Sequence, residues 1–254
     1  MVLLLQSIHI PLAIINGSPG IEPGAVSCYA IGRQGGLIMS YSKLVSYVQI
    51  SPNRSVRKDK VYNPDGKVDK ITIHHVAGDA TVEALGALFG KPSRQASSNY
   101  GISSDGRIAC FVEEEYRSWC SGSRENDYRA ITIEVANCGG DPDWPVSDAA
   151  YSALLDLCED ICRRHDFRLN FTGDKTGNLT MHKWFQPTGC PGPYLEARFP
   201  DIATEVNRRL DGEKDVFYRV QCGAFRELKN AETLRDKLRS QGYRDAFIVE
   251  VERT

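Results

Sequence analysis

Ile71-Thr72-Ile73-His74-His75-Val76 is a short β-branched run that carries two adjacent imidazoles. Such a run reads as a β-strand. Outward from it, Ile131-Thr132-Ile133-Glu134-Val135-Ala136 is a second strand, and Leu179-Thr180-Met181-His182 is strand-like. Tyr100-Gly101-Ile102 and Ile108-Ala109-Cys110-Phe111-Val112 flank Ser103-Ser104-Asp105-Gly106. Asp-Gly between apolar runs signals a hairpin. Helical patterns lie between these segments. Val82, Leu85, Leu88 and Phe89 recur at helical spacing, as do Leu154, Leu157, Cys158 and Ile161 behind Ser147, a fitting N-cap. A last helix is expected from about Pro200 to Leu210. Strands interleaved with helices make this stretch a single α/β domain. Residues 39–70 are polar and turn-rich (Ser51-Pro52-Asn53, Asn63-Pro64-Asp65-Gly66) and read as an irregular arm leading into it.

The chain has 254 residues, 41% of them apolar and 25% charged, enough for one large domain or for one medium domain plus a small module. A net charge of −2 argues against a strongly basic nucleic-acid binder, so no nucleic-acid partner is expected. The eight cysteines (Cys28, Cys110, Cys120, Cys138, Cys158, Cys162, Cys190, Cys222) are scattered and form no C-x-x-C pair. That excludes a small disulfide scaffold and a four-cysteine zinc ribbon, and it reads as reduced thiols. Cys158 and Cys162 are expected to be small packing residues on one helix.

Met1–Asn16 is apolar but interrupted by Gln6, His9 and Pro11, too short to span a membrane. It also lacks the positive flank and cleavage motif of a secretory signal. The expectation is synthesis in the cytoplasm and no stable membrane insertion. Gln34-Gly35-Gly36 before Met39 can be encoded by a purine-rich ribosome-binding sequence. Residues 1–38 are therefore expected to be a leader, with translation starting naturally at Met39.

His74, His182 and Cys190 stand out by type and placement. Two imidazoles and one thiolate form a three-ligand zinc set with an open fourth position. The glycines and prolines of Thr188-Gly189-Cys190-Pro191-Gly192-Pro193 suit a turn that presents the thiolate.

The run ITIHH, then ITIEVAN at 131–137, then MHKWFQPTGCPGPYL at 181–195 resembles the zinc-dependent N-acetylmuramoyl-L-alanine amidases. This is the type-2 amidase family, shared with phage lysozyme-type amidases and peptidoglycan recognition proteins. The resemblance covers about residues 71–210 and implies a mixed central sheet flanked by helices. It implies one zinc ion per chain, held by His74, His182 and Cys190, and bacterial peptidoglycan as substrate. It implies that Glu134 works as general acid/base, or alternatively orients a ligand histidine. Thr188 matches a position where some members carry a catalytic lysine, and it is read as positioning through its hydroxyl. Asn99, Tyr100, Trp119 and His75 are expected near substrate, His75 with a packing role as the alternative. The chain departs from the family at Ser98, where some members carry a catalytic tyrosine, and at Cys120, which replaces a histidine in Arg117-Ser118-Trp119-Cys120-Ser121-Gly122. His165 reads as a solvated helix end. The competing function class is a peptidoglycan-binding module without catalysis.

After the polar break 211–215, a second unit reads as strand Val216–Cys222, helix Asn230–Arg239 capped by Asn230, and strand Ala246–Val251. Leu234 and Leu238 are expected to face a core, and Gly242 to end the helix. FYRVQCGAF at 217–225 resembles the opening of the SPOR (sporulation-related) repeat. That resemblance implies a ferredoxin-like fold and binding to glycan strands stripped of stem peptides. The match spans one β-α-β half, which has unpaired edges, so pairing of two chains as a homodimer is expected, with docking onto the amidase domain as the alternative.

Overall fold

The computed structural model describes residues 29–31, 37–212, 222–243 and 246–250. The chain separates into two compact units, Met1–Glu213 and Lys214–Thr254. In the first unit the described residues form ten strands: β1 (Tyr29–Ile31), β2 (Leu37–Met39), β3 (Tyr47–Val48), β4 (Arg54–Val56), β5 (Lys70–His75), β6 (Tyr100–Ile102), β7 (Ile108–Cys110), β8 (Tyr116–Ser118), β9 (Ala130–Val135) and β10 (Leu179–Met181). Five helices accompany them: α1 (Val82–Phe89), α2 (Arg124–Arg129), α3 (Asp148–His165), α4 (Pro193–Glu196) and α5 (Phe199–Leu210). The main sheet has the order β10-β5-β9-β6-β7-β3. It is mixed: β10, β5, β9 and β6 run parallel, and β7 pairs antiparallel with β6 across the expected hairpin. The pairs β1/β2 and β4/β8 form separate small ladders.

The two faces of the sheet have different chemistry because side chains alternate along a strand. Ile71, Ile73, Ile131, Ile133, Val135, Leu179 and Met181 belong to one core with the apolar faces of α3 and α5. In α3 the buried positions include Ala150, Leu154, Leu157, Cys158 and Ile161, at helical spacing, and Ser147 caps Ala150 N–H as expected. Burying each Leu or Ile fully stabilises by about 1.5–3 kcal/mol, which makes this layer the main source of stability. The alternate positions form a hydroxyl layer. Thr180, Thr72 and Thr132 lie in register across three strands. Thr72 and Thr180 share a 2.9 Å hydrogen bond, Ser118 meets Thr132 at 2.7 Å, and Asn126 of α2 donates to Thr72. Further along, Val82, Leu85 and Phe89 of α1 pack on Phe111 and Ala109. A Cβ on Gly101 would come within 2.5 Å of the Phe111 ring, so only glycine lets α1 and Phe111 close over β6.

The arm of residues 39–70 is not irregular. Within it, β3 extends the main sheet and β4 pairs with β8. Arg57, 1% exposed, donates to the carbonyls of Glu114, Tyr116, Asp127, Tyr128 and Ala130. Burial lowers its guanidinium to about 10, against the opposing pull of Glu114 and Asp127, so it stays charged at neutral pH. Strands of two or three residues carry no readable alternation, which is why the arm looks like a loop in sequence.

His165 is also not a solvated helix end. Its Nε2 lies 2.8 Å from buried Glu114, which also takes Arg164 and the Tyr100 hydroxyl. The second unit has one described helix, α6 (Leu228–Ser240). It begins after Glu227, two residues before the expected Asn230 cap, and Asn230 N–H donates to Glu227 O. Leu234 and Leu238 are half-buried rather than core. Gly242 follows the helix at φ 100°, as expected. Ala246–Glu250 is not a strand, and residues 216–221 and 251 lie outside the described residues. Among the described residues no helix is long and apolar enough to cross a membrane.

Burial raises the Glu114 carboxyl, but hydrogen bonds and charge from Arg164 and His165 outweigh this and hold it at about 2. Its folded value lies below the unfolded value of about 4.3. The stabilisation is therefore complete above that pH and is lost as pH falls toward 2. Melting curves between pH 6 and 2 are expected to fall through this window. Glu114→Gln should melt lower at neutral pH and fall less steeply in acid; parallel curves for the two proteins would contradict the assignment.

Candidate metal centre

The parallel register of β5 and β9 places His74 beside Glu134, just as it places Thr72 beside Thr132. His182 follows β10 directly and opens a short turn, His182–Trp184. Its ring lies 4.6 Å from that of His74. The chain then folds back: Lys183 N–H donates to Cys190 O, and Gly192 N–H to Gly189 O. Gly192 adopts φ 82°, where a Cβ would press on the His75 ring and Trp144. This turn delivers Cys190 to the two histidines, and one donor atom from each of His74, His182 and Cys190 lies within 4.8 Å of the others.

His74 is 1% exposed and its Nε2 has no partner. A buried ring nitrogen without a partner is costly, and it leaves His74 a lone pair with which to hold a ligand. Burial, then repulsion from His182 and His75, holds His74 well below the usual imidazole range, which keeps it neutral and able to ligate. Burial lowers His182 as well and pushes the Cys190 thiol up. The His75 backbone N–H donates to Cys190 Sγ at 3.3 Å. Two nitrogens and one sulfur suit a borderline-soft divalent ion and do not suit calcium or magnesium.

Glu134 faces the same space. Its Oε1 is 3.8 Å from Cys120 Sγ, and its Oε2 is buried without a partner. Burial raises this carboxyl to about 8, with Cys120 and Arg94 pulling the other way. A cleft of about 500 Å³ opens beside the cluster, lined by Arg117, Trp119, Cys120, Arg124, His182 and Gln186.

The other expected site residues are distributed unevenly. Thr188 is exposed at the turn and its Oγ1 accepts from Cys190 N–H at 3.2 Å. Trp119 lies in the cleft wall, its indole N–H donating to Ser55. His75 is half-buried, edge-on to Trp144. Asn99 and Tyr100 do not reach the cleft; both are fully buried. Asn99 donates to Val112 O and accepts from Thr132 N–H, so its amide is used up holding backbone. The Tyr100 hydroxyl donates to Glu114 and accepts from Ser42 N–H, on the core side of the sheet. Ser98, in the place of the family's tyrosine, is buried on the Thr132 carbonyl. Arg124 reaches the cleft without any local sequence signal, while Arg117 and Gln186 lie inside the quoted motif runs, where they were given no role. Cys120 had a signal, its replacement of the family histidine.

The profile of the family described as N-acetylmuramoyl-L-alanine amidase matches residues 64–193, half of the chain. The chain belongs to that family. It is therefore a peptidoglycan hydrolase that acts on the amide between N-acetylmuramic acid and L-alanine. The SPOR domain profile matches residues 214–254. Among solved structures, the selenomethionine AmpD derivative is 21% identical, with 65% of this chain and 97% of that one covered at a TM-score of 0.49. The Clostridium intestinale amidase LysC is 18% identical, covering 64% and 95%, at 0.47. The Staphylococcus aureus hydrolase AmiA, in complex with its ligand, is 18% identical, covering 58% and 76%, at 0.48. No curated protein sequence matches the chain.

Because Tyr100 lies in the amidase core and not in its cleft, Tyr100→Phe should leave KM for cell wall unchanged. It strips a partner from Glu114 and from Ser42 N–H, and should cost about 1–3 kcal/mol in denaturant unfolding. A raised KM with unchanged stability would restore Tyr100 to the substrate surface.

Proposed function

We propose that this amidase is zinc-dependent, with one zinc ion per chain on His74, His182 and Cys190. The convergence of these three donors beside the unpartnered Glu134 Oε2 carries the reading. When bound there, zinc would acidify water toward a pKa of about 7 and polarise an amide carbonyl. Glu134 takes the proton of the attacking water on Oε2 and hands it to the leaving L-alanine nitrogen. Its raised pKa suits both halves of that transfer. Thr188 keeps the Cys190 turn in place through its oxygen, and its hydroxyl proton is free to donate to the developing oxyanion. Trp119 offers an apolar wall for sugar or peptide, and His75 supports the thiolate from behind. The binding-only alternative is disfavoured by the complete donor set.

Residues 39–210 are proposed as the catalytic domain with its arm, 1–38 as a leader, 211–215 as a linker and 216–254 as a wall-binding half domain. The C-terminal unit would hold the enzyme on glycan strands denuded by its own activity, in lysis or remodelling of the cell wall. Phe225, Leu228, Tyr243, Phe247 and Val249 of that unit are exposed, an apolar load that suits pairing with a second chain.

Purified sacculi digested by the enzyme should yield fragments with new L-alanine amino termini by mass spectrometry. His182→Ala and Cys190→Ala should lose both metal and activity. Glu134→Gln should retain zinc by elemental analysis while turnover falls about 10²–10⁴-fold. Wild-type turnover by Glu134→Gln would remove it from the mechanism, and full activity of zinc-stripped protein would remove the metal. Light scattering should give a dimer for the full chain and a monomer for a chain ending at Leu210; monomers in both cases would exclude pairing through the C-terminal unit.

A further inference from the structure

The amidase cleft contains a second group of metal-type donors that the hydrolytic reading leaves unused. Cys120 enters from the segment after β8, where Asp127 accepts from its backbone N–H and from that of Ser121. Cys120 Sγ lies 3.8 Å from Glu134 Oε1. The second carboxylate oxygen, Oε2, is buried and unpartnered. His74 completes the group: one donor atom each from His74, Cys120 and Glu134 lies within 4.8 Å of the others. His74 thus belongs to two trios, one reaching toward His182 and Cys190, the other toward Cys120 and Glu134.

We propose that Cys120, Glu134 and His74 form a second, inhibitory seat for a soft divalent cation such as zinc or cadmium. Zinc–sulfur bonds of about 2.3 Å and zinc–oxygen bonds of about 2.0–2.2 Å span the 3.8 Å gap at an open angle near tetrahedral. Sulfur, nitrogen and oxygen donors together favour zinc-like ions over magnesium or calcium. Because His74 serves both seats, filling both makes it a bridge through its two ring nitrogens, so seating the second ion releases the Cys120 thiol proton, the His74 ring proton and any proton on Glu134 to solvent. An ion held on Glu134 also occupies the carboxylate that accepts the water proton, so filling this seat stops turnover. The inhibition rests on the reading of Glu134 as that acceptor; the binding itself does not.

Metal-free full-length protein would be titrated with cobalt(II), following thiolate-to-cobalt charge-transfer absorption, beside Cys120→Ser. The wild type should show two steps per chain and the variant only the first. The remaining cysteines are common to both proteins, so the difference reports Cys120. Excess zinc should inhibit the wild type, and in Cys120→Ser the half-inhibiting concentration should rise about tenfold or more relative to its own zinc-replete rate. Cys120→Ala provides a second variant if serine lowers the melting temperature. Identical titrations for wild type and variants, with one step or with two, overturn the second seat. Loss of the first step alone counts against the His74, His182 and Cys190 site, while a surviving Cys120-dependent step still supports this one.

Discussion

The arrangement depends on the parallel pairing of Lys70–His75 with Ala130–Val135 in a single register. One register sends Ile71, Ile73, Ile131 and Ile133 into the helix-covered core and leaves Thr72, Thr132, His74 and Glu134 on the other face. A slip of one residue would exchange the two sets, burying a carboxylate and an imidazole among isoleucines. The apolar layer therefore does more than stabilise. It holds the strand ends in the one alignment where His74 and Glu134 stand side by side.

The hydroxyl layer between core and cleft explains how polar chemistry survives on a buried sheet face. Thr72, Thr132, Thr180, Ser98 and Ser118 satisfy one another, and Asn126 donates to Thr72 while its Oδ1 stays unpartnered. At the strand ends, His74 Nε2 and Glu134 Oε2 are buried without partners, beside His182 and Cys120 of the cleft wall. A ligand placed there can satisfy both.

Much of this was legible in sequence, and the reasons are local. The strands that carry His74 and Glu134, the Asp-Gly hairpin and the Ser147 cap follow from short-range periodicity and turn chemistry, which each segment carries by itself. That His74, His182 and Cys190 would converge was legible because metal chemistry restricts donor types so strongly. Asn99 and Tyr100 were misplaced because strand alternation says that neighbours point apart but not which face is the cleft. Here Tyr100 faces the core and Asn99 is consumed by backbone. The arm around Tyr47–Val56 escaped because its attachment is long-range: side chains such as Arg57 and Asn53 bond carbonyls about 40 to 70 residues away. His165 escaped for the same reason, since Glu114 lies 51 positions from it.

Arg57 has a consequence for where the amidase ends as a physical object. Its guanidinium serves five carbonyls from the segment between Glu114 and Ala130, the segment that also carries Trp119 and Cys120 into the cleft. The family profile begins at residue 64, after Arg57. A fragment cut at that boundary would keep every candidate ligand and yet strand those carbonyls in a dry interior. The smallest autonomous unit of this protein is accordingly longer than its family match, and its N-terminal limit is set by a single cation upstream of the homologous region.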